Sequence, residues 1–380
     1  MDTVTQEIRK LHAEADDTGR EKIIHELGAI QASLETDANT ILKLAAGPFH
    51  LALVKTGVDQ GIFQAVNEHP HTLSELAEKT GVPLDPLELI LRGQVAFGMI
   101  SEGTGVFTAN RLTTLLAGSN TSGAVNYIYD IMRPVAAAIP DFLTGEEPAM
   151  TSAHNTVFQK AFNTQLSIFE WMGHHPEHFG NLFKLISVWT RHEWVEAFPI
   201  AEEIGSFMGS DAEKVVLVDV GGGTGPQAAI FKQRLPQIPG RVIVQDIAET
   251  LVHAQPIAGI EFMEHDCFMP QPIENAKFYY LRYVMHLWQD EQCVRALRAI
   301  IPAMGPESRI LIDEVVVPEA ASGVTWQVAW RSLGIAASLA GKERTRGQWE
   351  TLCEAAGLCI LDVFPYDPNM QAIIVAVPRS

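Results

Sequence analysis

Through residues 1–60 apolar side chains recur at helical spacing, at Ile23, Leu27, Ile30 and Leu34 and again at Ile41, Leu42, Leu44 and Ala45. That spacing predicts amphipathic helices, which either pair with another subunit or pack on their own domain. A helical stretch follows over 71–82. A second helix is expected from Pro86 to Ala96, with Asp85 as N-cap, Pro86 at its first position and Glu88 in its first turn. Residues 98–108 read as a β-hairpin around a glycine turn. Helix, turn, helix and hairpin make a winged-helix pattern. Its second helix has no basic face, because Arg92 is the lone cation from Leu84 to Ile100, beside Asp85 and Glu88. Dimerisation is expected of it, not nucleic-acid binding.

Residues 121–204 continue as a helical region dense in aromatics, from Tyr127 to Trp189. Most of these belong to a core, and the rest wall an apolar pocket. His174, His175 and His178 surround Pro176 in no metal-ligand spacing, so they are expected at the surface and no metal is expected. From residue 205 onward the pattern changes. Strands are expected at 215–220, 241–245, 277–284, 309–316 and 371–378, with helices near 224–234, 290–303 and 345–356. Such alternation implies an α/β fold on a mostly parallel, doubly wound sheet, with ligands at the strands' C-terminal ends. The chain thus divides into 1–120, 121–204 and 205–380.

Composition narrows the function classes. A chain of 380 residues, 47% hydrophobic and 19% charged, is ordered and large enough for two domains. A formal net charge of −19 disfavours a nucleic-acid backbone as partner. The first 22 residues are polar, unlike a signal peptide. No apolar run is expected to span a bilayer, which takes roughly 20 residues. Cys267, Cys293, Cys353 and Cys359 form neither a CxxC pair nor a disulfide framework. A cytoplasmic protein is expected.

The candidate chemistry begins at Val215–Gly225, a buried strand running into Gly221-Gly222-Gly223-Thr224-Gly225. Glycines there let the backbone turn tightly and approach a ligand. The next strand, Arg241–Gln245, ends in Asp246, a carboxylate placed to accept from the two hydroxyls of a ribose. Asp219, two residues before the first glycine, would repel a pyrophosphate but suits an ammonium and a sulfonium. S-adenosylmethionine (SAM) carries both. Asp266 follows a further strand and is placed to contact the adenine amine. His286 stands just past strand 277–284, on the cofactor side, where an imidazole accepts a proton or donates a hydrogen bond. Glu314, after Arg309–Asp313, emerges on the same edge, and Glu343 is within reach. A carboxylate behind a histidine orients the ring and raises its basicity.

These pieces resemble the fungal SAM-dependent O-methyltransferases, whose architecture is similar to that of plant caffeate-type enzymes. The resemblance covers essentially the whole chain. It rests on Leu34-Glu35-Thr36, the winged-helix segment, Ala161–Thr164, Val218–Gly223, Gln245-Asp246, Tyr280-Leu281-Arg282, His286 and Gly341–Thr345. It implies a Rossmann-like class I methyltransferase domain behind an N-terminal α-helical winged-helix dimerisation domain, assembled as a homodimer. Asp219, Gly221, Gly223, Asp246, Asp266, Phe268 and Arg282 would surround SAM. His286 would be the general base, flanked by Glu314 and Glu343.

One position departs from that family, which carries His-Asp-Trp where this chain has His286-Leu287-Trp288. Leucine cannot hydrogen-bond a methyl acceptor. The chain is also similar to leporin-type SAM-dependent pericyclases, through Phe158–Thr164, Ile301–Met304 and Lys342–Thr345. In those enzymes an Arg-Asp pair takes the place of His286-Leu287, and a helical-domain histidine that of Tyr127. This similarity implies SAM retained as a fixed cation, with His286 or Tyr127 donating to a conjugated carbonyl. Phe158, Phe162, Trp171, Met172, Leu287 and Trp330 would shape the substrate pocket. The reaction expected first is an intramolecular Diels–Alder-type cyclisation of a polyketide-derived polyene, a pyridone or tetramate, without methyl transfer. The alternative is O-methylation of a phenolic or enolic hydroxyl with His286 as base.

Overall fold

All six positions of strand Val215–Val220 are buried, the mark of a strand with both faces covered. It lies inside a sheet whose order is Leu358–Pro365, Gln371–Pro378, Arg309–Val317, Phe278–Arg282, Val215–Val220, Arg241–Asp246, Glu261–Glu264. Neighbours pair in parallel from Arg309–Val317 to Glu261–Glu264, while the C-terminal hairpin pairs antiparallel. Alternate residues feed the two faces: Tyr279 and Leu281 join one apolar cluster, Phe278 and Tyr280 the other. The structure is a computed structural model and describes residues 2–145, 148–189, 193–205, 207, 213–367 and 370–379. Of residues 2, 17, 18 and 189 it describes the backbone alone, so the Trp189 side chain lies outside the described residues.

The sheet belongs to one of two compact units, formed by 138–168 with 191–380; the other comprises 1–137 with 169–190. Residues 121–204 therefore contribute to both. Several elements of the sheet unit differ from the expected pattern. Leu358–Pro365 is a strand where none was expected, because its half-exposed edge position shows little apolar alternation. Helix Trp326–Leu339 is likewise additional. The strand expected over 277–284 ends at Arg282, since Tyr283 takes a φ of +53° and turns the chain into a short 3-10 helix, Met285–Leu287.

In the first unit, helices Asp2–Glu14, Asp17–Leu34 and Asp37–Asp59 fulfil the expected helical start. The winged-helix segment has a three-stranded sheet of His71–Thr72, Val106–Thr108 and Ser101–Gly103. Thr72 and Glu75 form a capping box at Leu73–Thr80. The second helix is Leu84–Ala96, starting at Leu84 after Pro83. Asp85 is thus not its cap but lies in its first turn, where it still faces the positive helix end. Pro86 is tolerated there because the first N–H groups of a helix have no intrahelical acceptor. Arg92 is spent on Glu88, at 2.6 Å.

The leading helices leave apolar side chains in the open: Leu34 is 79%, Leu44 76% and Phe49 71% exposed. Contrary to the expectation that no stretch qualifies, helix Asp37–Asp59 has the length and mean hydropathy, 1.2, of a membrane span. Its leucine, isoleucine, valine, phenylalanine and alanine side chains outnumber its charged ones. It nonetheless carries Lys43, paired with Glu35, and Lys55, paired with Asp59.

Candidate active site

The glycine loop is built from the inside. Gly221 and Gly222 donate their N–H groups to the Gln245 carbonyl, at 2.8 and 3.1 Å, and Gly225 donates to Gly222. The Gly223 N–H goes to Asp246 Oδ2 at 2.8 Å. These amides are consumed by the end of strand Arg241–Asp246 and, for Gly225, by the loop itself, and do not form a cradle for an anion, the role such loops play in phosphate sites. A Cβ on Gly222 would stand 2.5 Å from Asp219 Cγ, so only glycine lets the loop close over that carboxylate.

Asp219 is 1% exposed, and its Oδ2 has no hydrogen-bond partner among the described residues. Burial pushes its carboxyl up to about 7, against the pull of Arg282 and helped by Asp246 and Asp313. A buried carboxylate oxygen without a partner fits a cationic ligand group. Asp246 also accepts from the Ile247 N–H at 2.8 Å. Asp266 accepts from the Phe268 N–H at 2.9 Å, on the strand end beside that of Asp246. These three carboxylates have the acceptor chemistry that the ammonium, ribose hydroxyls and adenine amine of SAM require. Arg282 is different: its guanidinium bonds Asp313 at 2.7 Å and the Tyr366 hydroxyl at 2.9 Å. It is anchored, and bears on Asp219 electrostatically.

Asp313 is the residue here that sequence reasoning missed. Fully buried, it accepts from Tyr280 at 2.5 Å, Arg282 at 2.7 Å, Tyr366 at 2.7 Å and Gln371 at 2.6 Å. An acid inside the apolar run Ile310-Leu311-Ile312-Asp313 was the available signal.

His286 sits in the 3-10 turn, 6% exposed. Its Nδ1 lies 3.1 Å from Glu343 Oε1 and 3.5 Å from Glu314 Oε2. Glu314 Oε1 accepts the N–H groups of Val284, Met285 and His286 at 3.0, 2.8 and 3.3 Å, so this one carboxylate shapes the turn that aims the imidazole. Burial alone would lower the His286 pKa, but Glu314 and Glu343 outweigh it and hold it above its ordinary value. Burial likewise favours the neutral form of Glu343, yet His286 and Arg331 together keep its pKa low. For Glu314 burial prevails and raises the pKa. The three side chains bring ligand atoms within 4.8 Å of one another. Arg331, 3.0 Å from Glu343, already supplies positive charge to that set. With Nδ1 turned to the carboxylates, Nε2 is the nitrogen left for chemistry.

The pocket residues are shared out. Phe158 and Phe162 stack at 4.6 Å on helix Val157–Phe162, which packs against the helix carrying Trp330. Phe158 is fully buried, whereas Phe162, Leu287 and Trp330 are half-buried. Trp171 and Met172 belong to the other unit, as does Tyr127. Met172 is enclosed, and Trp171 stacks on His175 at 3.8 Å and lies 5.4 Å from His178. Those two histidines are therefore not surface residues as expected, because the indole draws them in; His174 is exposed. Tyr127 is buried at the end of helix Ser119–Tyr127, before a π-helical turn, Ile128–Met132, and burial pushes its phenol pKa well up.

Comparison with known proteins gives the family. The family model described as an O-methyltransferase domain matches residues 147–359. The O-methyltransferase okaF of Penicillium ochrochloron is 62% identical, over 100% of both chains. Demethylsterigmatocystin 6-O-methyltransferase of Aspergillus parasiticus is 46% identical, over 100% of this chain and 98% of its own. A solved structure of LepI with SAM superposes with a TM-score of 0.92 at 32% identity, covering 99% of this chain and 98% of that one. A second structure with the same score is described as a pericyclic reaction enzyme. The chain belongs to the O-methyltransferase domain family and has the class I methyltransferase fold, a mixed sheet with helices behind an N-terminal helical region.

Proposed function

We propose that this enzyme is a SAM-dependent O-methyltransferase acting on a phenolic or enolic hydroxyl of a largely apolar, polyketide-derived small molecule, with His286 as general base. The observation that carries this reading is the imidazole held at Nδ1 by Glu343, 3.1 Å away. Asp219, Asp246, Asp266 and Phe268 would hold SAM. When bound, SAM supplies a methyl group made electrophilic by its sulfonium. His286 Nε2 then takes the proton of the acceptor hydroxyl, and Glu343 and Glu314 stabilise the imidazolium that forms. A pericyclic rearrangement without methyl transfer is the reading Leu287 favours, since an apolar neighbour suits a polyene better than a phenol. It is second because two buried carboxylates behind one histidine serve a proton acceptor, and a pericyclic step moves no proton.

One experiment separates the two: S-adenosylhomocysteine formed per product, by mass spectrometry, with purified protein, SAM and aromatic or polyene acceptors. One equivalent with a methyl mass gain is expected. A cyclised or isomerised product without S-adenosylhomocysteine would overturn the reading. We further read the leading helices as a subunit-pairing surface, on the strength of exposed Leu34, Leu44 and Phe49. Light scattering on a sizing column should give twice the chain mass, and a single-chain mass would remove the homodimer. Four free thiols support a reducing, cytoplasmic setting.

A further inference from the structure

Helix Trp326–Leu339 carries Arg331 into the protein, where its side chain is 9% exposed and its Nε lies 3.0 Å from Glu343 Oε1. The same oxygen lies 3.1 Å from His286 Nδ1. One carboxylate oxygen is thus shared between a guanidinium and the imidazole. Arg331 also lies over the Tyr283 ring, 5.4 Å from its centroid, and Tyr283 stacks on His286 at 5.4 Å and 16°. Arg331 therefore touches two of the groups that touch the imidazole. Tyr283 holds a positive φ, +53°, costly for a residue with a Cβ and kept only where the surroundings demand it. Charge points the same way: were both glutamates ionised around an imidazolium, one negative charge would be left over, and the Arg331 guanidinium beside Glu343 would offset it.

We propose that Arg331 is a positioning residue of this site, fixing Glu343 against His286 Nδ1 and so aiming Nε2 at the acceptor. The acceptor in this statement rests on the O-methyltransferase reading; the positioning does not. The groups facing His286 are Glu314 from strand Arg309–Val317, Glu343 before strand Arg344–Thr345, Arg331, and Tyr283 with Arg282 lying over its ring at 4.9 Å. Arg331 opposes the imidazolium, so its loss favours protonation of His286, whereas loss of the Glu343 charge disfavours it.

The test is the protonation midpoint of His286, read by NMR on full-length protein labelled with 13C-histidine and assigned with His286→Gln. Glu343→Gln is expected to lower the midpoint in the unaltered background and to move it far less in Arg331→Met, where Glu343 is no longer fixed against Nδ1. Arg331→Lys, which keeps a cation for Glu343, should restore most of the Glu343→Gln shift. An undiminished Glu343→Gln shift in folded Arg331→Met would overturn the proposal. Should Arg331→Met not fold, Arg331→Gln decides by the same comparison. Because the midpoint is read without turnover, absence of methyl transfer in the unaltered enzyme would remove the reaction assigned above and leave this result standing.

Discussion

His286→Ala is expected to lower kcat for methyl transfer by roughly 10³-fold while leaving SAM affinity within about threefold, since general-base catalysis contributes on this order. The separation follows from the geometry. Asp219 and Asp246, the carboxylates assigned to SAM, lie on the glycine-loop side, and His286 is bonded instead to Glu343. Initial rates and calorimetric titration of SAM check the two halves. His286→Asn should not restore the rate, because an amide donates a hydrogen bond but does not take a proton at neutral pH. Cyclised product retained in His286→Asn, with no S-adenosylhomocysteine, would instead make His286 a hydrogen-bond donor. The pH profile adds a sign. The pKa of His286 is held above its ordinary value by Glu314 and Glu343, and a base works only when deprotonated. The acid limb of kcat/KM should therefore fall at a pH above about 6.5, the ordinary histidine value. In Glu343→Gln it should move down.

What the sequence exposes of this site is its backbone chemistry. Strand Val215–Val220, the glycine loop and Asp246 are adjacent or one βα unit apart, and their roles follow from local turns and one hydrogen bond, Gly223 to Asp246. His286 was legible for the same reason: it follows a buried strand, and its partner Glu314 lies in the next strand of the sheet, Arg309–Val317. Asp313 was not legible as a hub. Its four donors come from residues 280, 282, 366 and 371, two of them in a hairpin whose first strand shows little alternation. Arg331 was hidden similarly, on a helix whose apolar sequence hides a single buried cation. The winged-helix segment was read correctly in outline, and its second helix by the wrong cap. Pro83 and Pro86 both mark a helix start, and the chain uses the first.

Asp219→Asn is the second substitution with a large expected effect, on SAM affinity. A buried carboxylate facing a cation is worth roughly 1.5–3 kcal/mol as a charge-assisted hydrogen bond, so Kd should rise roughly tenfold to a hundredfold. The pH dependence is the sharper check. In the free protein burial pushes Asp219 up to about 7, far above an ordinary aspartate. A cationic ligand favours the ionised form and lowers that pKa on binding. Below pH 7 the free carboxyl is largely protonated, so binding must expel a proton, and affinity should weaken toward tenfold per pH unit as pH falls from 7 to 5. Calorimetry in two buffers of different ionisation enthalpy reads that proton directly. Asp219→Asn, with nothing to titrate, should give a weaker Kd that stays flat over the same range. A flat Kd in the unaltered protein would mean that Asp219 does not meet the cationic end of SAM. The unpartnered Oδ2 would then be a closed feature of the loop, held only by the packing of Gly222 against it.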